Sequence, residues 1–336
     1  MVGGLLSSNS KKVMKKEKFD WGEHIISGND IFLAGYDTHD SLEDAQRYCT
    51  KIAKAHYENF IISNWFTPAN IKQHIENIYA FCRFGDDLGD DAPFPPEERL
   101  LLLNEWENDL TRGFSKDSSG KFKENPRHPI IKAIRHTAST FEIPIEPFLK
   151  LIKAFKMDQT KTEYNTWEEL REYCVHSADP VGHLFLYVYG HDDEKLREIS
   201  DYTCTALQLA NHWQDISRDL EQNRIYMPTE DMEKYGYNLE MYKNKDVNEN
   251  WTELMKFQVE RAREWFAKGE ELWLLVDPML AVDLQMFTMG GVAILDSIEK
   301  LKFNTWKKRP KVSRFKQLWM LRRCRRLWKQ AEKRQI

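Results

Sequence analysis

The sequence predicts an all-α fold, and three observations carry that expectation. Apolar residues recur with the period of a helix over most of the length, while alternating runs that would make strands are scarce. Hydrophobic content is 41 % and includes 11 Trp and 18 Phe, enough bulky surface for a substantial core. Two segments also repeat carboxylates at helical spacing within otherwise oily surroundings.

Taken in order, residues 1–40 read as a basic leader, without the apolar core of a secretory signal, followed by a loop region from Trp21. Ser41 with Asp44 forms a capping box for a helix whose stripe continues to about Ser63. Pro68 suits the first turn of the next helix, and the prolines from Pro93 stop it. Helices are predicted over 97–114, 129–141 and 145–159, with a polar loop from Ser115. Residues 167–190 read as one longer helix bent at Pro180, where Ser177, Ala178 and Gly182 are small. Those residues either open room for a long apolar ligand or let two helices pack closely. The helix over 206–223 is followed by a long connection that reads as a lid. Helices over 251–276 and 279–301 complete a single domain, 41–306.

Residues 307–336 form a basic amphipathic tail. It carries thirteen Lys and Arg against one acid, Glu332, so the rest of a chain of net charge −4 is strongly acidic. Phe315, Leu318, Trp319, Leu321 and Leu327 alternate with the basic residues. Such a helix lies on an anionic membrane surface or packs back on the acidic body. Nothing else suggests a nucleic-acid partner. Five cysteines without a CxxC pair fit a reduced compartment, and no run of about 18 uninterrupted apolar residues predicts a spanning helix. The expected location is the cytoplasm, peripheral at the inner membrane face through the tail.

The chemistry lies in the two acidic segments. In ALQLANHWQDISRDLEQNRIYMP, from Ala206, the residues Gln208, Asn211, Asp215 and Asp219 fall within roughly 80° of one helix face. In IYAFCRFGDDLGDD, from Ile78, Arg83, Asp86, Asp87 and Asp90 share about 100°. Each motif alone also describes a solvated helix face. Together, flanked by aromatic residues and followed by Arg224 and Tyr226, they set carboxylates around one cavity. Such carboxylates repel unless cations join them. Magnesium takes a few carboxylate oxygens, keeps waters and completes its shell from substrate phosphates, so Asp86, Asp87, Asp90, Asn211, Asp215 and Asp219 are the candidate metal ligands.

These motifs, with YAFCRFGDD, YCVHSADPVG and NRIYMP in the same order, resemble the squalene and phytoene synthases over about residues 41–303. The resemblance implies an isoprenoid-synthase helical bundle around a central apolar cavity, an isoprenoid diphosphate substrate and magnesium. It also implies that Arg83, Gln208, Arg224 and Tyr226 contact the diphosphate or its metal shell, and that Tyr79 and Tyr173 line the reacting end. Three departures from condensing members stand out: HYENF from His56 in place of a serine-rich stretch, Gln214 where phytoene-type members often carry Arg, and SADPVG from Ser177. These variants resemble the hopanoid-pathway branch, the hydroxysqualene synthases. That branch ionises presqualene diphosphate and lets water capture the cation, with no NADPH. His56, Tyr57, Asn59, Tyr173 and His176 are then candidates to position the water. Other enzymes of the same pathway are possible partners. The alternatives are a condensing synthase, which makes presqualene diphosphate, squalene or phytoene, and a non-enzymatic helical adaptor. A di-iron bundle is disfavoured because no Glu has a His three residues later.

Overall fold

A computed structural model describes residues 25–27, 31–33, 41–55 and 68–335. The leader and the candidates His56, Tyr57 and Asn59 lie outside them. Within the expected N-terminal loop region two short strands, β1 (Ile25–Ser27) and β2 (Ile31–Leu33), pair antiparallel with Ile25 opposite Leu33.

The first helix, α1 (Leu42–Ala55), starts on the predicted box. The Asp44 amide donates to Ser41 Oγ at 3.1 Å and the Ser41 hydroxyl donates to Asp44 Oδ2 at 2.6 Å. Its expected continuation to residue 63 lies outside the described residues. The acid-bearing helix α2 (Ala69–Asp90) follows Pro68, which caps it rather than entering its first turn. Arg99 closes the other end by donating to the carbonyl of Gly89 at 2.8 Å, an acceptor in the last turn of the helix, and to that of Ala92 just beyond it at 2.9 Å. Around α2 pack α3 (Pro96–Phe114), α4 (Pro129–Thr140) and α5 (Glu146–Met157). Phe81 and Phe84 of α2 meet Trp106 of α3 at ring separations of 5.5 and 4.8 Å, which fixes the register of the acid row.

The sequence predicts a bend at Pro180, and the chain breaks there instead. Helix α6 (Trp167–Ser177) stops at Ala178, and α7 (Asp179–Val188) begins with Pro180 in its first turn, where a missing N–H costs no hydrogen bond. Both readings of the small residues hold in part. A Cβ on Gly182 would collide with Ser200 Oγ and Cys204 Sγ of α8 (Glu194–Glu221), so Gly182 serves close packing, while Ser177 lines a hollow.

The lid expectation fails. The connection after Asn223 contains α9 (Thr229–Lys234) and α10 (Leu239–Lys243), and buries Met232, Tyr237 and Tyr242 almost completely. Asp231 accepts from Arg261 at 2.6 Å and Gln258 at 2.8 Å, both on α11 (Glu249–Gly269). The aromatic residues that punctuate this stretch are core, which its charge obscures. A cluster of Trp251, Tyr237, Tyr242 and Trp306 closes this end, with the Trp251 and Trp306 rings 5.2 Å apart.

The chain then runs through α12 (Leu272–Leu275) to α13 (Pro278–Lys300), which packs on α8. Among the described helices α13 is the one long and apolar enough to cross a membrane, although Asp283 and Asp296 interrupt it and about half of it is buried. Asp283 is 2 % exposed and accepts from the Tyr189 hydroxyl at 2.5 Å, and burial pushes its carboxyl up to about 7. The last helix, α14 (Arg314–Gln335), packs back on α13. Met320, Cys324, Leu327 and Trp328 face Met279, Val282, Met286 and Met289, while Phe315, Leu318 and Trp319 stay exposed beside Arg322, Arg323 and Arg326. All five cysteines are unbridged.

Candidate active site

The two acid rows face one another. Asp86 and Asp90 from α2, with Gln208, Asn211, Asp215 and Asp219 from α8, line a chamber of about 980 Å3 that also contains Arg224 and Tyr226. A smaller hollow of about 260 Å3 is lined by Tyr79, Cys82, Arg83, Leu151, Phe155 and Val181. The two share Asp86, Asp158, Tyr173 and Gln208, so a charged chamber opens into an apolar one. That shape matches a molecule with a charged head and an oily body.

Two predicted residues are placed elsewhere. Asp87 lines neither hollow: it is 3 % exposed and paired with Arg83, whose Nε donates at 2.8 Å. Neighbouring helical positions differ by about 100°, so Asp86 and Asp87 cannot both face the chamber squarely. His176 also lines neither: its Nε2 meets Lys153 Nζ at 2.8 Å and Glu172 at 3.0 Å.

Crowding shapes the electrostatics. Lost hydration at the crowded chamber wall, reinforced by Asp90, raises Asp86, although its side chain stays 52 % exposed and solvent blunts the effect, and burial with Asp215 pushes Asp219 up to about 8. Carboxylates that resist ionising near neutrality lack positive charge. Arginines supply part of it. Arg224 Nη2 lies 2.6 Å from Asp90, and Arg309 grips Asp215 with both ends of its fork, Nε to Oδ1 at 2.5 Å and Nη2 to Oδ2 at 2.8 Å. Among the described residues no three His, Cys, Asp or Glu side chains converge into a closed metal cage. The donors nevertheless fit magnesium, which binds through one or two carboxylates and takes its other ligands from water and phosphate.

Among the chamber residues that sequence reasoning missed, four bear on its chemistry. Asp158, at the C-terminal end of α5, accepts from Tyr173 at 2.9 Å and Tyr226 at 3.1 Å, and burial pushes it up to about 6 against the pull of Arg224. A lone aspartate carries no spacing signal. Arg309 and Lys311 reach the chamber from the segment read as tail, and only the basic run after α13 hints at them. His212 lies within the α8 stripe, four residues after Gln208, and that spacing was available. Its ring stacks on Tyr226 with centroids 3.8 Å apart, and burial, then Arg224, pushes its imidazole down to about 3.

A family model described as squalene/phytoene synthase matches residues 53–316. The chain belongs to the squalene/phytoene synthase family. Members of this family are isoprenoid diphosphate-processing enzymes and generally use a divalent metal such as Mg2+. The chain is 30 % identical to a phytoene synthase of Arthrospira platensis, over 83 % of its own length and 91 % of that protein. It is 33 % identical to a hydroxysqualene synthase of Sinorhizobium fredii over 54 % of its length and 59 % of that protein. The crystal structure of squalene synthase HpnC from Alicyclobacillus acidocaldarius superposes with a TM-score of 0.72 at 39 % identity, covering 78 % of this chain and 96 % of that one. A dehydrosqualene synthase shares the fold at a TM-score of 0.74 and 21 % identity, over 88 % of this chain and all of that one. The all-α isoprenoid-synthase fold expected of a squalene/phytoene synthase is therefore present.

Proposed function

We propose that this family member is a hydroxysqualene synthase, converting presqualene diphosphate and water into hydroxysqualene and diphosphate. The observation that carries the reading is Gln214. Where phytoene-type members often place an arginine, Gln214 is buried, accepts from Arg309 at 2.8 Å and donates to the Pro310 carbonyl at 2.8 Å. A neutral amide stands at this turn of α8, with the Arg309 guanidinium against it and tied to Asp215, an arrangement that fits the binding of one diphosphate. The similarity to squalene synthase HpnC and to a hydroxysqualene synthase supports the same assignment.

In this reading Asp86, Asp90, Asn211, Asp215 and Asp219 hold magnesium, and Arg83, Arg224, Gln208, Tyr226, Arg309 and Lys311 surround the diphosphate. The metal, when bound, neutralises charge on the leaving group. Fixed guanidinium groups do the same work without reorganising, so the substrate C–O bond breaks with its electron pair left on the diphosphate. Tyr79, Tyr173 and the tyrosine cluster around Asp158 offer ring faces to the cation. No hydride is needed, so NADPH has no role. The outward side of α14, with Phe315, Leu318 and Trp319 among arginines, rests on an anionic bilayer at the cytoplasmic face and keeps the enzyme near lipid substrate and product.

The second reading is a condensing synthase, favoured by the phytoene synthase relatives that match most of the chain. Incubating the pure protein and magnesium with farnesyl diphosphate or presqualene diphosphate, with and without NADPH, separates the two. Hydroxysqualene from presqualene diphosphate alone is the expected product. Phytoene, squalene or presqualene diphosphate made by joining shorter chains would replace this reading with the condensing one.

A further inference from the structure

Resting on the reading that this chain takes presqualene diphosphate, we propose that Phe155 sets which hydrocarbon branches the apolar hollow accepts, with Gly85 as the recess that parks its ring. The hollow begins at the reacting end, where Asp86, Asp158, Tyr173 and Gln208 border both spaces. Asp158 directly follows α5, and Phe155, Ala154 and Leu151 continue from it along one face of that helix. Among the residues of α5 that line the hollow, Phe155 is thus the first bulky apolar side chain met by a chain leaving the charged chamber.

Two observations set this ring apart from an ordinary core phenylalanine. It is only partly buried, and it forms part of the wall of the hollow. Its edge also fills the place where a side chain of α2 would stand. A Cβ on Gly85 would collide with Phe155 Cε2 and would lie 2.8 Å from Cδ2, closer than a Cβ can approach. Glycine at position 85 therefore leaves a recess that the ring occupies. One turn later, a Cβ on Gly89 would lie 3.6 Å from the Phe155 carbonyl, so the two helices are already in contact there. The backbone has no room to give, and the ring is the part that can move.

Size makes the ring decisive. At about 260 Å3 the hollow falls below the roughly 300–1,000 Å3 of pockets that take drug-sized ligands. A phenyl ring is comparable in bulk with one isoprene unit. Selection in a closed apolar pocket is steep, since a single surplus methylene changes kcat/KM by roughly ten-fold or more. Removing the ring opens the hollow to a longer branch. Filling the recess turns the ring into the hollow it already lines and shortens the space.

Ring and recess can be varied separately. Phe155→Ala and the milder Phe155→Leu enlarge the hollow, Gly85→Ala fills the recess, and Gly85→Ala combined with Phe155→Leu makes room again. Each protein, with magnesium, is given presqualene diphosphate and the homologue whose two branches are each one isoprene unit longer, and kcat/KM for diphosphate release is measured for both. Binding of thio-linked farnesyl and geranylgeranyl diphosphates supplies a readout that needs no turnover. Phe155→Ala should move both ratios about ten-fold or more toward the longer chain, and Phe155→Leu about three-fold. Gly85→Ala should lower kcat/KM for presqualene diphosphate about ten-fold, and the added Phe155→Leu should bring it back to within about three-fold of the wild type. Ratios unchanged in both Phe155 variants, a Gly85→Ala protein as active as the wild type, or a loss that the double variant does not recover would each overturn the proposal. Wild-type protein that joins farnesyl diphosphate and makes no alcohol from presqualene diphosphate overturns the functional reading instead, and the binding ratios still judge Phe155.

Discussion

Asp215 bears two demands at once: it lines the chamber as a proposed metal ligand and it anchors Arg309. Asp215→Asn should therefore raise the magnesium needed for half-maximal rate and slow ionisation by about 3–4 kcal/mol, the usual cost of losing a fixed electrostatic stabiliser. Turnover measured across a magnesium titration checks this, and an unchanged rate at limiting metal would remove Asp215 from the ligand set. Asp283 makes a separate case, far from that chemistry. Its folded pKa of about 7 stands above the unfolded value, so the folded state holds the extra proton. Its contribution is complete at low pH and fades as pH rises through 7. Urea unfolding at pH 5 and pH 8 should show a shallower decline in Asp283→Asn than in the wild type, each unit of raised pKa being worth about 1.4 kcal/mol. At this scale the sequence was informative where spacing repeats. It put Asp86, Asp90, Asn211, Asp215 and Asp219 on facing helix rows, and all five line one chamber. It misplaced Asp87, because a helical wheel cannot tell which of two adjacent carboxylates an arginine will claim. It passed over Asp158 and Arg309, whose roles depend on contacts that join distant parts of the chain.

Among the elements, α14 packs back on the body, one of the two readings of the tail, and its outer side is the one the proposed membrane contact would use. Its inner side, Met320, Cys324, Leu327 and Trp328, is occupied by α13, and its outer side keeps Phe315 and Trp319 at 88 % and 52 % exposure. Replacing both aromatic residues with Glu should leave the folding free energy within about 0.5 kcal/mol, as exposed substitutions do. It should nonetheless weaken binding to phosphatidylglycerol vesicles, with the larger difference at low salt. Co-sedimentation at two ionic strengths checks it, and equal binding by both proteins would dispose of the membrane surface. Helix existence was legible almost throughout, because apolar period and proline position mark it locally. What the sequence hid was continuity. Pro180 marked a defect but not a complete break, and the burial of residues 229–243 depends on contacts with α11 that are distant in sequence.

At the scale of the whole molecule, the bundle brings together more negative charge than its own arginines neutralise. Asp219 has a raised folded pKa of about 8, so its share of stability is present in acid and lost as pH climbs toward 8, while the half-exposed Asp86 adds little. Magnesium with inorganic diphosphate should offset that loss. Thermal unfolding should shift upward by more at pH 8 than at pH 6, since ligand carboxylates must shed protons to bind, with about 2.7 kcal/mol available at a hundred-fold excess over Kd. Equal shifts at the two pH values would mean that the ions bind elsewhere. The segment joining α13 to α14 ties this balance to something observable. Trp306 stands three residues before Arg309, packed against Trp251 and Tyr242, near enough along the chain to report a shift of the guanidinium off Asp215. Tryptophan emission should then change as cation and diphosphate are added, giving the enzyme a built-in optical gauge of site filling that Arg309→Gln would silence.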